Sequence, residues 1–431
     1  MSVKSGPEGV VRPVSENSRT SRISHCGANT RGKWFFLCSF LFACLLFWWL
    51  PSLIFRVILN TEDPVENKTL LETAFAVGVF VAGYLLPVRF KPSSAIPERA
   101  MDASADFAYK AVLLLALPSL ALALQFVIEQ SGFTYGTGGN IPRPYQAVLY
   151  THLFFGFLVL GAIDPLKEGW RRISVTTIAV TLPRLIVSLH WQRWFLAQAI
   201  VPALFIAITR GWIRLTAKRL LQITTLALAI VIVPALTRGD NLSGTDGFVT
   251  FLASGASSIQ LLQKNSDLDL NGRCPPLLVS MTAKLIPYSV LGVCVIDVAG
   301  MKNAAALLDR ILTVNDPASL DGLVSGTGSN YLLELYLTGG AFAALLGSAL
   351  FGFSCRRFVG WTGRRSLFAG IWAECLSRAL FAPRMNLGYV YEKIPALVFA
   401  TFLVVSTVWS WRLLSNEYFL KLPWPRRSSN A

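Results

Sequence analysis

Five arginine residues are the most direct sign of chemistry in this chain, because they lie at or just inside the same end of several apolar segments. They are Arg184, Arg193, Arg238, Arg378 and Arg384. An arginine inside an apolar membrane segment is costly and usually marks function. Its planar guanidinium stays charged and binds phosphate through two parallel hydrogen bonds. We therefore expect these arginines to converge on an anion, in the first place a phosphate group.

A stripe of polar residues opens the apolar segment that begins near residue 331. Asn330, Glu334 and Thr338 are spaced four apart, so they share one face of a helix. Ser329 and Asn330 suit a turn and an N-cap. We expect Glu334 to face a polar cavity, where it would act as a general base or orient a hydroxyl group. The alternative is a capped helix with a tolerated glutamate at the membrane interface.

A second group of residues surrounds the middle of the chain. Pro183 precedes Arg184 and can break a helix, which frees backbone carbonyl groups. His190 lies between Arg184 and Arg193. Two neighbouring positive charges disfavour a charged imidazole. The pattern predicts a neutral, hydrogen-bonding His190 that could accept a proton.

A third group lies near the end of the apolar region. Arg378 falls inside an apolar segment, Arg384 follows six residues later and Lys393 begins the next segment. Two interpretations of Arg378 stay open: a salt bridge to Glu374 or Glu392, or a phosphate clamp built on its bidentate fork.

No metal or cofactor is expected. Asp267 and Asp269 form a DxD sequence of the kind that binds metal–nucleotide complexes in soluble glycosyltransferases, but such a triplet recurs by chance in an Asp-rich loop. The chain has no P-loop, no HExxH motif and no Rossmann fingerprint, so nothing supports ATP or NAD chemistry.

The composition is that of an integral membrane protein. The residues AVILMFWYC make up 53% of the chain and charged residues only 15%, whereas a soluble domain carries about 25% charged residues. The formal net charge of +15 comes from 39 Lys and Arg against 24 Asp and Glu. Because this excess lies mostly in short loops, it indicates the positive-inside rule and anionic lipid rather than nucleic acid.

The apolar pattern predicts an all-α polytopic membrane protein with about ten transmembrane helices. Each needs about 20 apolar residues. We place them near 34–55, 69–88, 107–128, 146–163, 173–190, 193–209, 219–236, 331–353, 366–382 and 391–411. The region 173–209 could instead be a tight hairpin or a re-entrant pair. Basic loops alternate with loops poor in Lys and Arg, which predicts cytoplasmic N- and C-termini.

The domain organisation follows from these segments. We expect a disordered cytoplasmic tail over 1–33, helices 1–7 over 34–236, one large periplasmic loop over 237–330, helices 8–10 over 331–411 and a cytoplasmic tail over 412–431. Loops this long are usually functional or disordered.

Residues 326–352 resemble the bacterial O-antigen polymerase family, also described as oligosaccharide repeat-unit polymerases. The resemblance rests on Gly328-Ser329, Glu334-Leu335-Tyr336, Gly339-Gly340, Gly347 and Gly352. The segments around Pro183-Arg184 and Pro383-Arg384 are similar to the arginine-bearing outer segments of that family. The resemblance is close over 326–352 and loose over 180–400. It implies a fold similar to the GT-C class of membrane glycosyltransferases.

The resemblance also implies an activity: polymerisation of undecaprenyl-diphosphate-linked repeat units into O-antigen, capsular polysaccharide or exopolysaccharide at the periplasmic face of the bacterial inner membrane. Glu334, His190 and Arg378 would be catalytic. The donor and acceptor would be held by Arg184, Arg193, Arg238, Arg384, Tyr336, Asn330 and Lys393. The partners would be the lipid-linked oligosaccharide, membrane lipid, a chain-length regulator and a flippase.

Two alternatives stay open. One is an O-antigen ligase, which uses the same arginine chemistry on a different acceptor. The other is a transporter or flippase for an anionic or lipid-linked glycan. Transporters usually carry charges at mid-bilayer on paired broken helices, whereas the arginines of this chain cluster at one end of the segments.

Overall fold

The structure is a computed structural model that describes the helical part of the chain. The residues described are 17–57, 66–87, 98–129, 143–163, 170–190, 194–213, single positions between 216 and 225, 330–384, 387–391 and 394–421. Within these ranges the regular structure is helical, and no strand occurs in them.

The helices follow one another in a bundle, and we number them in chain order among the described residues. They are α1 (Asn17–Cys44), α2 (Leu50–Val57), α3 (Asn67–Leu85), α4 (Glu98–Glu129), α5 (Arg143–Ala162), α6 (Trp170–His190), α7 (Trp194–Thr209), α8 (Tyr331–Thr362), α9 (Ala369–Ala379), α10 (Leu387–Tyr391) and α11 (Ile394–Lys421). A short π-helical stretch, Leu45–Trp49, joins α1 to α2.

The fold is that of a helical membrane protein. Among the residues that the structure describes, four helices are long and apolar enough to cross a bilayer: Thr30–Leu53, Asn67–Leu85, Met101–Glu129 and Thr338–Thr362. Large apolar side chains also point outward, among them Leu114 and Phe342, which are 77% and 76% exposed. Such exposure is expected of a surface that faces lipid rather than water.

The helices agree with most of the predicted segments, with two differences. Residues 366–382 hold only the 11-residue α9; at about 1.5 Å per residue it is far shorter than the apolar core of about 30 Å. Residues 17–33, predicted as a disordered tail, continue α1, because extending an existing helix is easier than starting one. Residues 219–236 lie almost wholly outside the described part, so the count of ten spans and the topology stay predictions.

The helix α8 is a hairpin rather than a straight rod. Its backbone leaves the helical region at Gly339 and at Gly340, where φ is +65° and ψ is −159°. Leu335 lies against Gly347, and the Tyr331 and Phe351 rings are 5.3 Å apart. In both pairs the two residue numbers have the same sum, as expected when two segments run antiparallel. A half-helix, 331–338, therefore folds back along the spanning part of α8.

Glycines bring the central helices close together. A Cβ atom at Gly370 of α9 would lie 2.4 Å from the Phe157 carbonyl oxygen of α5, and one at Gly161 of α5 would lie 2.6 Å from the Ser366 carbonyl oxygen. The backbones can approach this closely only because both positions lack a side chain. This contact holds the short α9 in the middle of the bundle.

Two arginines of the basic loops close the end of α5. Arg210 donates to the carbonyl oxygens of Leu160, Gly161 and Ile163. Arg365 donates from Nε to the Ala162 carbonyl oxygen at 2.6 Å. The last carbonyls of a helix have no partner within it, so cationic donors stabilise them. Part of the positive charge at this end therefore has a structural role.

Candidate functional site

Arg184 is buried at the meeting point of three helices. It is 1% exposed. Its Nη1 donates to Gln198 Oε1 of α7 at 3.1 Å, and its Nη2 donates to the Leu149 carbonyl oxygen of α5 at 2.9 Å. The guanidinium carbon also lies 5.5 Å from the centre of the Tyr150 ring. Neutral oxygens and an aromatic face thus stabilise this buried cation.

Pro183 precedes Arg184 and can break a helix, but it does not break this one. The helix α6 runs without interruption from Trp170 to His190. A proline is tolerated in a membrane helix where neighbouring helices satisfy the freed backbone groups. Arg184 therefore projects from a continuous helix rather than from a broken one.

Arg378 forms a buried ion pair within α9. Its Nε lies 2.8 Å from Glu374 Oε1, and the two side chains are 2% and 3% exposed. They are four residues apart and share one helical face. Ser377 Oγ donates to Glu374 Oε2 at 3.2 Å and to the Glu374 carbonyl oxygen at 2.9 Å. Of the two interpretations of Arg378, the salt bridge to Glu374 is therefore present.

Glu374 links the two arginines. Its carboxylate interacts electrostatically with Arg184 as well as with Arg378. We call Arg184, Glu374 and Arg378 the buried cluster. Two positive charges and one negative charge give it a formal net charge of 2 − 1 = +1 from the side chains concerned. A buried excess of positive charge favours a neighbouring anion.

The half-helix of α8 carries the predicted polar stripe. Asn330 is its N-cap: Asn330 Oδ1 accepts a hydrogen bond from the Leu333 N–H at 2.7 Å. Glu334 is fully buried, and its Oε2 accepts from the N–H of Leu387, the first residue of α10. Thr338 Oγ1 donates to the Glu334 carbonyl oxygen at 2.7 Å. The predicted cap is thus confirmed, and Glu334 lies in the protein interior rather than at an exposed interface.

The turn after α9 connects the half-helix to Arg384. The Tyr331 N–H donates to the Ala382 carbonyl oxygen at 3.1 Å. Trp48, in the π-helical stretch, donates from Nε1 to the Pro383 carbonyl oxygen at 2.8 Å. Arg384 is only half-buried, and its guanidinium carbon lies 5.8 Å from the centre of the Phe47 ring. Among the described candidate arginines, it is the one that is not fully buried.

Of the remaining predicted site residues, only Tyr336 has a side chain among those that the structure describes. Tyr336 is half-buried against the core. The side chain of His190 and all of Arg193, Arg238, Lys393 and Asp267–Asp269 lie outside the described residues. Apart from Asn330, so does the large loop over 237–330.

Sequence analysis assigned no site role to three polar residues of this region. Glu374 was named only as a salt-bridge partner, and Gln198 was not singled out at all. His152, 1% exposed, lies within electrostatic range of Arg184. Its Nε2 has no hydrogen-bond partner among the described residues. A glutamine or histidine inside an apolar segment is the signal that could have found Gln198 and His152.

Comparison of the chain with models of known protein families, with curated protein sequences and with solved structures finds no match. The resemblance of residues 326–352 to the O-antigen polymerases therefore stays a prediction, and it carries no structural argument.

Proposed function

We propose that this chain is a membrane-embedded glycosyltransferase that polymerises undecaprenyl-diphosphate-linked repeat units at the periplasmic face of the bacterial inner membrane. The observation that carries the proposal is the buried cluster, with its formal charge of +1. The half-buried Arg384 lies five residues after α9 in the chain and adds a less buried positive charge.

The chemistry requires a site that accepts a developing diphosphate charge. A hydroxyl oxygen of the acceptor sugar attacks the anomeric carbon of the donor glycan, and the bond from that carbon to the diphosphate oxygen breaks. The lipid diphosphate leaves with the bonding electrons. Fixed cations in a site of low dielectric constant stabilise this charge without reorganising at the moment of reaction.

We assign each residue its proposed role according to how exposed its side chain is. Arg384 contacts the diphosphate, because it is the least buried of the three candidate arginines that the structure describes. Arg184 and Arg378, at 1% and 2% exposure, act from behind it as positioning residues and as a source of positive potential. Glu334 accepts the proton of the attacking hydroxyl group. This last step requires movement of the half-helix, because Glu334 is fully buried.

The transporter alternative is also favoured by one observation. The helix α8 is broken at Gly339 and Gly340, and a half-helix with a buried glutamate lies beside its spanning part. Discontinuous helices of this kind form substrate and ion sites in secondary transporters. A transporter would move the anionic glycan past the buried cluster without breaking a glycosidic bond. An O-antigen ligase would use the same cations with a lipid A acceptor.

Deletion of the gene in its host, followed by electrophoresis of the surface polysaccharide, separates these functions. The proposal expects loss of the ladder with a single repeat unit retained on its carrier or core. Loss of all surface glycan, with long chains still on the carrier lipid, would establish a ligase instead. Repeat units trapped on the cytoplasmic side would establish a transporter. Complementation with the wild-type gene and with Arg384→Ala tests whether the predicted cation is needed.

A further inference from the structure

Arg356 lacks the carboxylate or carbonyl partners that several other buried or half-buried arginines of the described chain have. Arg365 pairs with Asp102, Arg172 with Asp106 and Arg378 with Glu374. Arg356 has no carboxylate partner among the described residues, and its Nε is buried without a hydrogen-bond acceptor there. Its charge is therefore left uncompensated within the part of the bundle that the structure describes.

Arg356 packs beside a tyrosine that links α3 to α1. Its guanidinium carbon lies 5.5 Å from the centre of the Tyr84 ring. Tyr84 in turn donates from Oη to the Lys33 carbonyl oxygen at 2.8 Å, which ties α3 to α1 at this position. A guanidinium has five N–H donors. The Tyr84 ring and hydroxyl group can satisfy only a small part of them.

The position of Arg356 along α8 matches the boundary of the apolar core. The candidate span is Thr338–Thr362. An apolar core of about 30 Å corresponds to about 20 helical residues. Counted from the start of this span, the apolar core ends within about one turn of Arg356. Its half-buried side chain can therefore reach the headgroup layer. This is the level at which phospholipids carry their phosphates.

We propose that Arg356, stacked on Tyr84, forms a binding site for a phosphate-bearing anion at this end of the bundle, with an anionic phospholipid headgroup as its ligand. Phosphate supplies both the missing acceptors and the missing negative charge. The site lies on α3 and α8 rather than in the buried cluster, so it does not depend on the proposed glycosyl transfer.

The test is thermal unfolding of the purified full-length protein in a neutral detergent, titrated with phosphatidylglycerol, with phosphatidylcholine or with inorganic phosphate. Wild-type protein is expected to unfold at a higher temperature with phosphatidylglycerol but not with phosphatidylcholine. Arg356→Gln should raise the half-saturating concentration of phosphatidylglycerol about five-fold, which is the contribution of one arginine near an anionic surface. Arg171→Gln is the matched control, because Arg171 is exposed and its substitution removes the same charge.

Arg356→Lys keeps the charge but lacks the planar fork, so it should lie between wild type and Arg356→Gln, and it serves if the glutamine variant does not fold. An Arg356-dependent stabilisation by inorganic phosphate alone would support the phosphate site and assign it to a free anion. Equal titrations for wild type and both Arg356 variants, or equal stabilisation by phosphatidylcholine, would overturn the proposal.

Discussion

Arg378 Nε lies 2.8 Å from Glu374 Oε1, and both side chains are almost completely buried within an 11-residue helix. Removing one partner of such a pair leaves an isolated buried charge, which costs about 3–5 kcal/mol. Loss of activity in a single Arg378 variant would therefore not by itself identify a functional arginine. The pair must be removed as a unit.

We predict that Arg378→Gln lowers the thermal stability and the membrane level of the protein, and that Glu374→Gln with Arg378→Gln recovers most of both. The double variant removes one positive and one negative charge together, so the buried cluster keeps its formal charge of +1, now on Arg184. Replacing a buried ion pair by neutral groups is often nearly neutral. If the Arg378 side chain itself positions the diphosphate, the recovered double variant still makes no long glycan chains, although the formal charge of the cluster remains +1. Protein level, melting temperature and the polysaccharide ladder are measured side by side.

A recovered double variant with a normal ladder would show that the ion pair is only structural. The matched control is Lys110→Gln with Asp106→Asn, which is also a pair of residues four apart on one helix. That pair is more exposed, with side chains 74% and 41% exposed, so its removal should change stability by only about 1 kcal/mol or less.

Substitution of Arg384 should remove activity with little loss of stability, unlike substitution of Arg378 alone. Because Arg384 is half-buried and stacks on Phe47, we predict that Arg384→Ala changes the free energy of unfolding by about 1 kcal/mol or less and abolishes the ladder. Arg384→Lys should restore only part of the chain length, since lysine lacks the bidentate fork. Arg357→Ala is the control, because Arg357 also stacks on a phenylalanine, at 5.0 Å from Phe353. A normal ladder with Arg384→Ala would exclude a direct role for this cation.

The parts of the structure that the sequence predicted follow local rules. An N-cap is decided within four residues, so the cap at Asn330 could be predicted from the polar residues that precede an apolar run. The Arg378–Glu374 pair is equally local, because residues four apart on a helix are neighbours. The spanning helices follow from apolar length.

The parts that were missed depend on contacts between distant segments. Gly339 and Gly340 are compatible with a straight helix, with helix packing or with a turn, and only the contact of Leu335 with Gly347 selects the hairpin. The electrostatic interaction between Arg184 and Glu374 involves residues of α6 and α9 that are 190 positions apart in the chain. No period or spacing in the sequence encodes such a pairing.

Asn330 offers a way to separate structure from binding. We predict that Asn330→Ala lowers the free energy of unfolding by about 1 kcal/mol, the usual value of an N-cap, and that Asn330→Ser restores it, because a serine hydroxyl also caps. If Asn330 also binds the glycan, as the resemblance implies, the serine variant is stable but makes shorter chains. A stable serine variant with a normal ladder would assign Asn330 to the cap alone.

Gly340 should resist substitution because of its backbone conformation. Its φ of +65° and ψ of −159° lie in a region that only glycine occupies readily. We predict that Gly340→Ala lowers the free energy of unfolding by about 1–3 kcal/mol. Gly78→Ala is the matched control: neither glycine has an atom within 4 Å of an added Cβ, but Gly78 lies inside α3. Alanine should stabilise that helix by about 0.5–1 kcal/mol. Equal effects in thermal unfolding would contradict the hairpin.

The same hairpin can be locked by a disulfide bond. A Cβ atom at Gly347 would lie 3.0 Å from Leu335 Cγ, which places the two Cβ positions within reach of a disulfide. We predict that Leu335→Cys with Gly347→Cys forms this bond on oxidation and stops chain elongation, because Glu334 can no longer move with the half-helix. Reduction should restore the ladder. The single Leu335→Cys variant is the control, since the chain already contains seven cysteines. A cross-linked protein that still elongates chains would show that Glu334 acts without movement of the half-helix, or does not act as the base.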